Sequence, residues 1–189
     1  MKQKSVEKAS SKKNEQAKIK ALFAKERVIV PKQEGVELLL NKNFGTVLSD
    51  KSLQLSLVEA LYLLEKGVIC LKDGHGKDID FELFVKKASR IDKEFWTRYL
   101  VFKDLRTRGY VVKTALKFGA DFRVYERGVK PGQDHAKWVV FPVHESSILT
   151  WHDFAAKNRV AHSTKKRLMI AIVDDEADIT YYEVRWLRP

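Results

Sequence analysis

Beyond Gly109 the chain changes texture, and that change limits what it can fold into. Five short segments rich in Val, Ile, Phe and Tyr follow one another, YVVKTAL, ADFRVYE, AKWVVFPV, KRLMIAIVD and ITYYEVRWL, with a single helical stretch, ILTWHDFAAKNRVAHS, between the third and the fourth. Strands of this composition must pack on both faces or against that helix. The expected fold of this half is therefore a mixed α/β module with a central sheet flanked by helices.

The stretch before Gly109 reads differently. ERVIV is a strand, GVELLLNKN a short helix or strand, and LSLVEALYLLEKG a helix with Leu55, Val58, Leu61 and Leu64 on one face. Gly67 stops that helix and VICLKD returns as a strand. Asp78 or Asp80 caps DFELFVKKASR, and Asp92 caps the longer DKEFWTRYLVFKDLRTRG. In the long helix Phe95, Tyr99 and Phe102 share one face, leaving Arg98, Lys103, Arg106 and Arg108 as a basic face. The opening residues are Lys-rich and carry too little apolar surface to offset the entropy of ordering. The expected organisation is a basic mobile tail over 1–24, a small α/β domain over 25–91 and a second α/β domain over 92–189, an α+β or mixed α/β chain overall.

A formal charge of +11, reached despite 25 acidic residues, points to a polyanionic partner, nucleic acid first. The single cysteine, Cys70, excludes an internal disulfide framework and a multi-cysteine zinc site, suits a reducing compartment and reads as a buried strand residue. No apolar run approaches the ~20 residues that cross a bilayer, and the N-terminus lacks the apolar core of a signal peptide. The chain is expected to be soluble and cytoplasmic, with no membrane contact.

Phosphate-cradling, dinucleotide, nucleophile-elbow and zinc-helix motifs are all absent. The acidic DDEAD run, Asp174 to Asp178, lacks the glycine and final glutamate of a calcium loop and reads as a solvated turn. What remains is Tyr125 at the end of a strand, His135 beyond the loop ERGVKPGQD, and Lys165 and Lys166 at the start of another strand. RNA carries its own nucleophile, the 2′-OH, so its cleavage needs only a base, an acid and a cation for the charged phosphorane. Histidine suits the acid role, and tyrosine can be the base where a cation such as lysine lowers its pKa. Singly, each side chain has a plainer reading: a strand aromatic, a loop histidine and an exposed strand end.

The stretches YLVFKDLRTRGYVVKTALKFGADFRVYERG, GQDHAKWVVFPV and RVAHSTKKRLMIAIVDDEADITYYEV together resemble the archaeal tRNA-splicing endonucleases across residues 99–184. The N-terminal half resembles the smaller α/β domain of that family more loosely. The resemblance implies a C-terminal nuclease domain that cuts precursor tRNA at a bulge-helix-bulge motif without metal or other cofactor, leaving a 2′,3′-cyclic phosphate and a 5′-hydroxyl. It assigns Tyr125 as base, His135 as general acid and Lys166, with Lys165 as the alternative, as the cation. His162, His144 and His152 match no motif, and His162 is read as a structural helix-end residue.

The resemblance further implies that a flipped bulge base is held by Arg159, with Trp186 as the opposing face or else a core or interface tryptophan. It implies assembly with copies of itself as a homotetramer, or with a structural subunit as a heterotetramer. The acidic loop formed by Asp174, Asp175, Glu176 and Asp178 would dock on a neighbouring subunit. Two other function classes compete: a noncatalytic RNA-binding subunit, and a metal-dependent nuclease using Asp121 and Glu126.

Overall fold

The computed structural model of the chain describes residues 18–115 and 119–187. Strands β1 (Ile19–Ala24) and β2 (Arg27–Val30) form a hairpin, followed by helix α1 (Val36–Asn41) and strands β3 (Thr46–Val47) and β4 (Leu53–Leu55). Helix α2 (Leu57–Glu65), strands β5 (Ile69–Lys72) and β6 (Asp78–Ile79), and helix α3 (Phe81–Ile91) complete the first half. Helix α4 (Phe95–Thr107) leads into β7 (Val111–Thr114), β8 (Phe122–Tyr125), β9 (Trp138–His144), α5 (Trp151–Ser163), β10 (Arg167–Val173) and β11 (Ile179–Val184).

The strands make two sheets, ordered β3-β4-β2-β1-β5-β6 and β11-β10-β9-β8-β7. The second sheet is mixed, as expected. β9 and β10 run parallel, with α5 as the crossover between them, while the other neighbouring pairs are antiparallel. The two halves with their five described helices constitute an α+β protein.

α4 is the element that both halves share. Phe95, Tyr99, Val101, Phe102 and Leu105 are buried, in one cluster with Leu39, Leu53 and Leu61 of the first half and Phe122, Val124, Trp138 and Val140 of the second sheet. The opposite face of that sheet packs Val139, Phe141, Leu168 and Ile170 on Ala161 of α5. The polar residues of α4 are engaged too. Tyr99 donates to Glu65 at 2.6 Å, Lys103 pairs with Glu65 at 2.6 Å, and Tyr181 of β11 donates to Asp104 at 2.7 Å. Burial, reinforced by the neighbouring carboxylates, pushes both phenols well above their ordinary pKa.

Four expectations change. Residues 19–24, read as part of the tail, form β1 between β2 and β5, because Ile19 and Ala21 alternate inward with Lys20 and Leu22 outward. The mobile reading of residues 1–17 falls outside the described residues. Leu55 belongs to β4, and α2 begins after Ser56, whose hydroxyl accepts from the Glu59 N–H while Glu59 reaches back in a capping box. Asp80 caps α3 as read, but Asp92 ends α3 and its carboxylate pairs with Arg98 at 2.7 Å instead of capping α4. The basic face of α4 is also internally committed. Arg98 bonds Asp121 at 2.5 Å, Arg106 donates to the Lys42 carbonyl at 2.8 Å and lies 4.1 Å over the Phe44 ring, and Arg108 pairs with Asp104 at 2.7 Å.

Because Phe102 is 1% exposed in a cluster common to both halves, Phe102→Ala is expected to cost about 3–5 kcal/mol. In urea melts, fluorescence and circular dichroism should shift together, since neither half keeps an independent core around this ring.

Candidate active site

The pairing of β8, β9 and β10 determines what gathers at one end of the second sheet. Trp138, the first residue of β9, lies beside Val124 of β8 on one side and Arg167 of β10 on the other. Tyr125 follows Val124 and Lys166 precedes Arg167, so both sit at this end, on strands separated by β9, about 10 Å apart at the backbone. The loop 126–137 leaves β8 and returns to β9 at the same end, carrying His135. Val124 faces α4, so alternation turns Tyr125 toward the α5 side; Lys166 shares its parity with Leu168 and Ile170, which also face α5. The register thus brings the three sequence-predicted side chains to one sheet end.

Their settings differ. Tyr125 is 5% exposed, whereas His135 is exposed, with its backbone N–H bonded to the Asp134 carboxylate at 2.6 Å. Lys165 occupies a left-handed turn (φ 53°) between α5 and β10 and is exposed. Lys166 is half-buried, donates its Nζ to the Thr164 carbonyl at 2.9 Å and lines a cleft with Asn158, His162 and Trp186.

That cleft continues along α5 to Arg159. Arg159 and Trp186 line the same depression, and Trp186 is 55% exposed, so it is neither a core residue nor hidden from the cleft. His162 lines it as well, its ring 4.9 Å from the indole. The sequence reading set His162 aside as structural. Its signal was the three-residue step from Arg159, one helical turn on the same face of α5.

On the α4 side of this sheet end, Trp138 donates its indole N–H to Glu183 at 2.9 Å, and Arg167 and Arg185 approach the same carboxylate at 3.2 and 2.8 Å. The indole bond, with the two guanidinium groups, holds the Glu183 carboxyl at about 2, below its ordinary 4.5. This carboxylate ties the start of β9, the start of β10 and the end of β11 together.

The carboxylates of the metal-dependent reading do not converge. Asp121 and Glu126 lie beyond opposite ends of β8; Asp121 pairs with Arg98, though burial pushes its carboxyl up, and Glu126 pairs with Lys137. Among the described residues no three His, Cys, Asp or Glu side chains come together as a metal-holding group. No helix among the described residues is long and apolar enough to cross a membrane. Cys70 lies on β5, half-buried rather than buried, its Sγ 3.8 Å from the Ile19 carbonyl.

The DDEAD run turns β10 into β11 at the far end of the sheet. The Asp174 carboxylate accepts the N–H groups of Glu176 and Asp178 at 3.0 and 2.8 Å, Ala177 takes a left-handed φ of 67°, and Asp175 lies 3.3 Å from His144. Asp174 is therefore spent on shaping the turn, while Asp175, Glu176 and Asp178 are exposed.

An α+β chain with a tyrosine, a histidine-bearing loop and a lysine at one sheet end has groups capable of acid–base chemistry. Known proteins supply its family. Residues 19–85 match the tRNA intron endonuclease N-terminal domain and residues 95–181 the tRNA intron endonuclease catalytic C-terminal domain. The tRNA-splicing endonuclease of Thermococcus kodakarensis is 45% identical over 164 residues, covering 86% of this chain and 95% of that protein. Those of Pyrococcus furiosus (42%, covering 86% and 93%) and Methanothermobacter thermautotrophicus (44%, covering 78% and 84%) are similarly related. The chain belongs to the tRNA-intron endonuclease family.

Because the Glu183 carboxyl titrates lower folded than unfolded, its contribution is complete above about pH 4.5 and is lost as the pH falls through 2. Glu183→Gln is expected to lower stability at pH 6 by about 1 kcal/mol, a value reduced for partial solvent screening. Urea melts at pH 6 and pH 2 test this, with the gap to wild type closing at the lower pH.

Proposed function

We propose that this chain is the catalytic subunit of a tRNA-splicing endonuclease that cuts precursor tRNA at its intron boundaries by 2′-OH transesterification. The observation that carries the reading is the register of β8, β9 and β10, which brings Tyr125, the His135 loop and Lys166 to one sheet end in a member of this family. Tyr125 takes the proton of the 2′-OH, whose oxygen attacks the adjacent phosphorus. His135 protonates the departing 5′-oxygen as the P–O5′ bond breaks. Lys166 stabilises the charge on the phosphorane, and the products are a 2′,3′-cyclic phosphate and a 5′-hydroxyl. With Tyr125 entering as the phenolate and His135 as the imidazolium, one proton is taken up and one is given without metal or cofactor, and exchange with solvent resets both.

Recognition follows the shape of the RNA. A bulge-helix-bulge exposes unstacked bases that planar groups can hold, and the Arg159, His162 and Trp186 cleft supplies a guanidinium beside two aromatic rings. The cleft adjoins Lys166 through His162 and Trp186, so a base held there lies next to the proposed scissile phosphate. Two bulges call for two sites at a fixed spacing, which favours a symmetric assembly, as a homotetramer or with a structural subunit. The exposed acidic turn of Asp175, Glu176 and Asp178, with Ile148 and Trp151 standing exposed nearby, is the surface offered for that assembly. A soluble, cytoplasmic location accords with this reading.

The test is the purified chain on an intron-containing precursor tRNA in excess chelator. Wild type is expected to cut at both boundaries, leaving cyclic-phosphate ends. His135→Ala should slow single-turnover cleavage by about 10²–10⁴-fold, and Tyr125→Phe and Lys166→Ala by about 10²-fold or more. Cleavage that requires added magnesium, or a wild-type chain that binds but never cuts, would reverse the assignment in favour of a metal-dependent enzyme or a noncatalytic subunit. Arg159→Ala and Trp186→Ala should each weaken binding of the bulged RNA by roughly tenfold, measured by filter binding.

A further inference from the structure

The loop that carries His135 holds itself together. Val129 donates to the Glu126 carbonyl at 3.1 Å, Gln133 to the Lys130 carbonyl at 3.1 Å, Lys130 to the Gln133 side chain at 3.3 Å, and Pro131 bridges to Asp134. A loop with this internal bonding moves as a unit about its two ends. What positions His135 is therefore whatever fixes those ends, and both converge on Lys137.

Lys137 lies two residues after His135. Its N–H donates to the carbonyl of Val124, the residue before Tyr125, at 2.9 Å. Its carbonyl accepts from the N–H of Arg167, the residue after Lys166, also at 2.9 Å. Its ammonium pairs with Glu126, the residue after Tyr125, and lies 4.8 Å from the centre of the Trp138 ring. Trp138 is in turn held by Glu183 and by an edge contact with Tyr110, 6.1 Å between ring centres. One residue thus touches the neighbours of all three proposed catalytic side chains.

We infer that Lys137 is a positioning residue: its ion pair with Glu126 clasps the base of the His135 loop and holds the proposed general acid in register with Tyr125 and Lys166. The inference rests on the function proposed above. It also gives Glu126 a role other than metal binding. The pair is partly exposed, at 30% and 55% for the two side chains, so it adds little to global stability. A weak pair can still bias local opening, since the loop's other anchors to the domain, Arg127 4.9 Å over the Tyr110 ring and the buried Ala136, lie on either side of the His135 turn and leave its base to the pair. Small displacements of a proton donor carry large rate penalties, whereas RNA binding, which uses the separate Arg159 cleft, is indifferent to them.

The experiment compares wild type, Lys137→Met, Glu126→Gln and the double charge swap Lys137→Glu/Glu126→Lys. Methionine removes the ammonium from both Glu126 and the Trp138 ring, whereas Glu126→Gln removes the ion pair alone; because the pair is partly exposed, the unfolding midpoint should stay close to wild type in both. Amide exchange of residues 127–136 is expected to accelerate in both single variants while β8, β9 and β10 keep their protection. Single-turnover cleavage should fall roughly tenfold with RNA affinity unchanged, and the charge swap should restore both loop protection and rate. Unchanged loop exchange in Lys137→Met defeats the clasp, as does a rate loss that the swap fails to recover. A wild-type chain that does not cleave, with a loop that still loosens in Lys137→Met, defeats the endonuclease reading and leaves the clasp standing as a structural device.

Discussion

Burial of α4 is the constraint on which the rest of the structure depends. A thirteen-residue helix with an aromatic stripe needs apolar partners, and here it takes them from both sheets at once. Lys103 keeps part of its surface in solvent, but the polar residues along the seam must each find an internal partner or face the cost of a buried unpaired group. They find them on both sides: Glu65, Lys42 and Phe44 in the first half, Asp121 and Tyr181 in the second. Lys113 extends the same logic, donating to the Gly45 carbonyl at 2.7 Å and lying 3.7 Å from the buried Glu59, while burial lowers its pKa. Arg98 and Arg106 are mortar between halves, and most of the basic charge open to an RNA lies elsewhere.

With one face of the second sheet committed to α4 and the other to α5, the strands cannot slip. A shift of one residue in β8 or β10 would exchange Val124 with Tyr125, or Leu168 with Arg167, and put a polar group into one of the two cores. The position of the proposed catalytic side chains is therefore a consequence of core packing some way from them. This explains how Tyr125 and Lys166, more than forty residues apart in sequence, meet at one end, and why the His135 loop needs only a short clasp of its own.

Much of this was legible in the sequence because apolar texture and period report burial directly. The strands after Gly109, the helix between the third and fourth, and the αL residues Gly67 and Gly109 stand where the pattern put them. β1 was hidden because Lys20 and Lys25 continue the composition of the tail, although Ile19 and Ala21 already alternate. β3 and β6, two residues each, are too short to show any period. The partners of Arg98 and Arg106 were invisible because period identifies the buried side of a helix and is silent about what covers the other side. His162 and Lys137 were missed for a related reason: their significance lies in neighbours brought by register, His162 against Trp186 and Lys137 between Val124 and Arg167. The Tyr125, His135 and Lys166 assignment came from resemblance, since the residue types alone admitted plainer readings.

The two ends of β10 now acquire different roles. Lys166 stands before its first residue and Asp174 after its last, about 25 Å apart along an interior strand hydrogen-bonded on both edges. Asp174 uses its carboxylate to stiffen the turn, so Asp175, Glu176 and Asp178 are presented without the ordering cost a mobile loop would bring to docking. Under the proposed assembly, an acidic turn seated on a neighbouring subunit would fix the far end of the strand whose near end carries the proposed cation. The spacing between two active sites would then be set by covalent strand geometry and one docking contact at each junction, which is the kind of rigid ruler that two bulges on one RNA helix require.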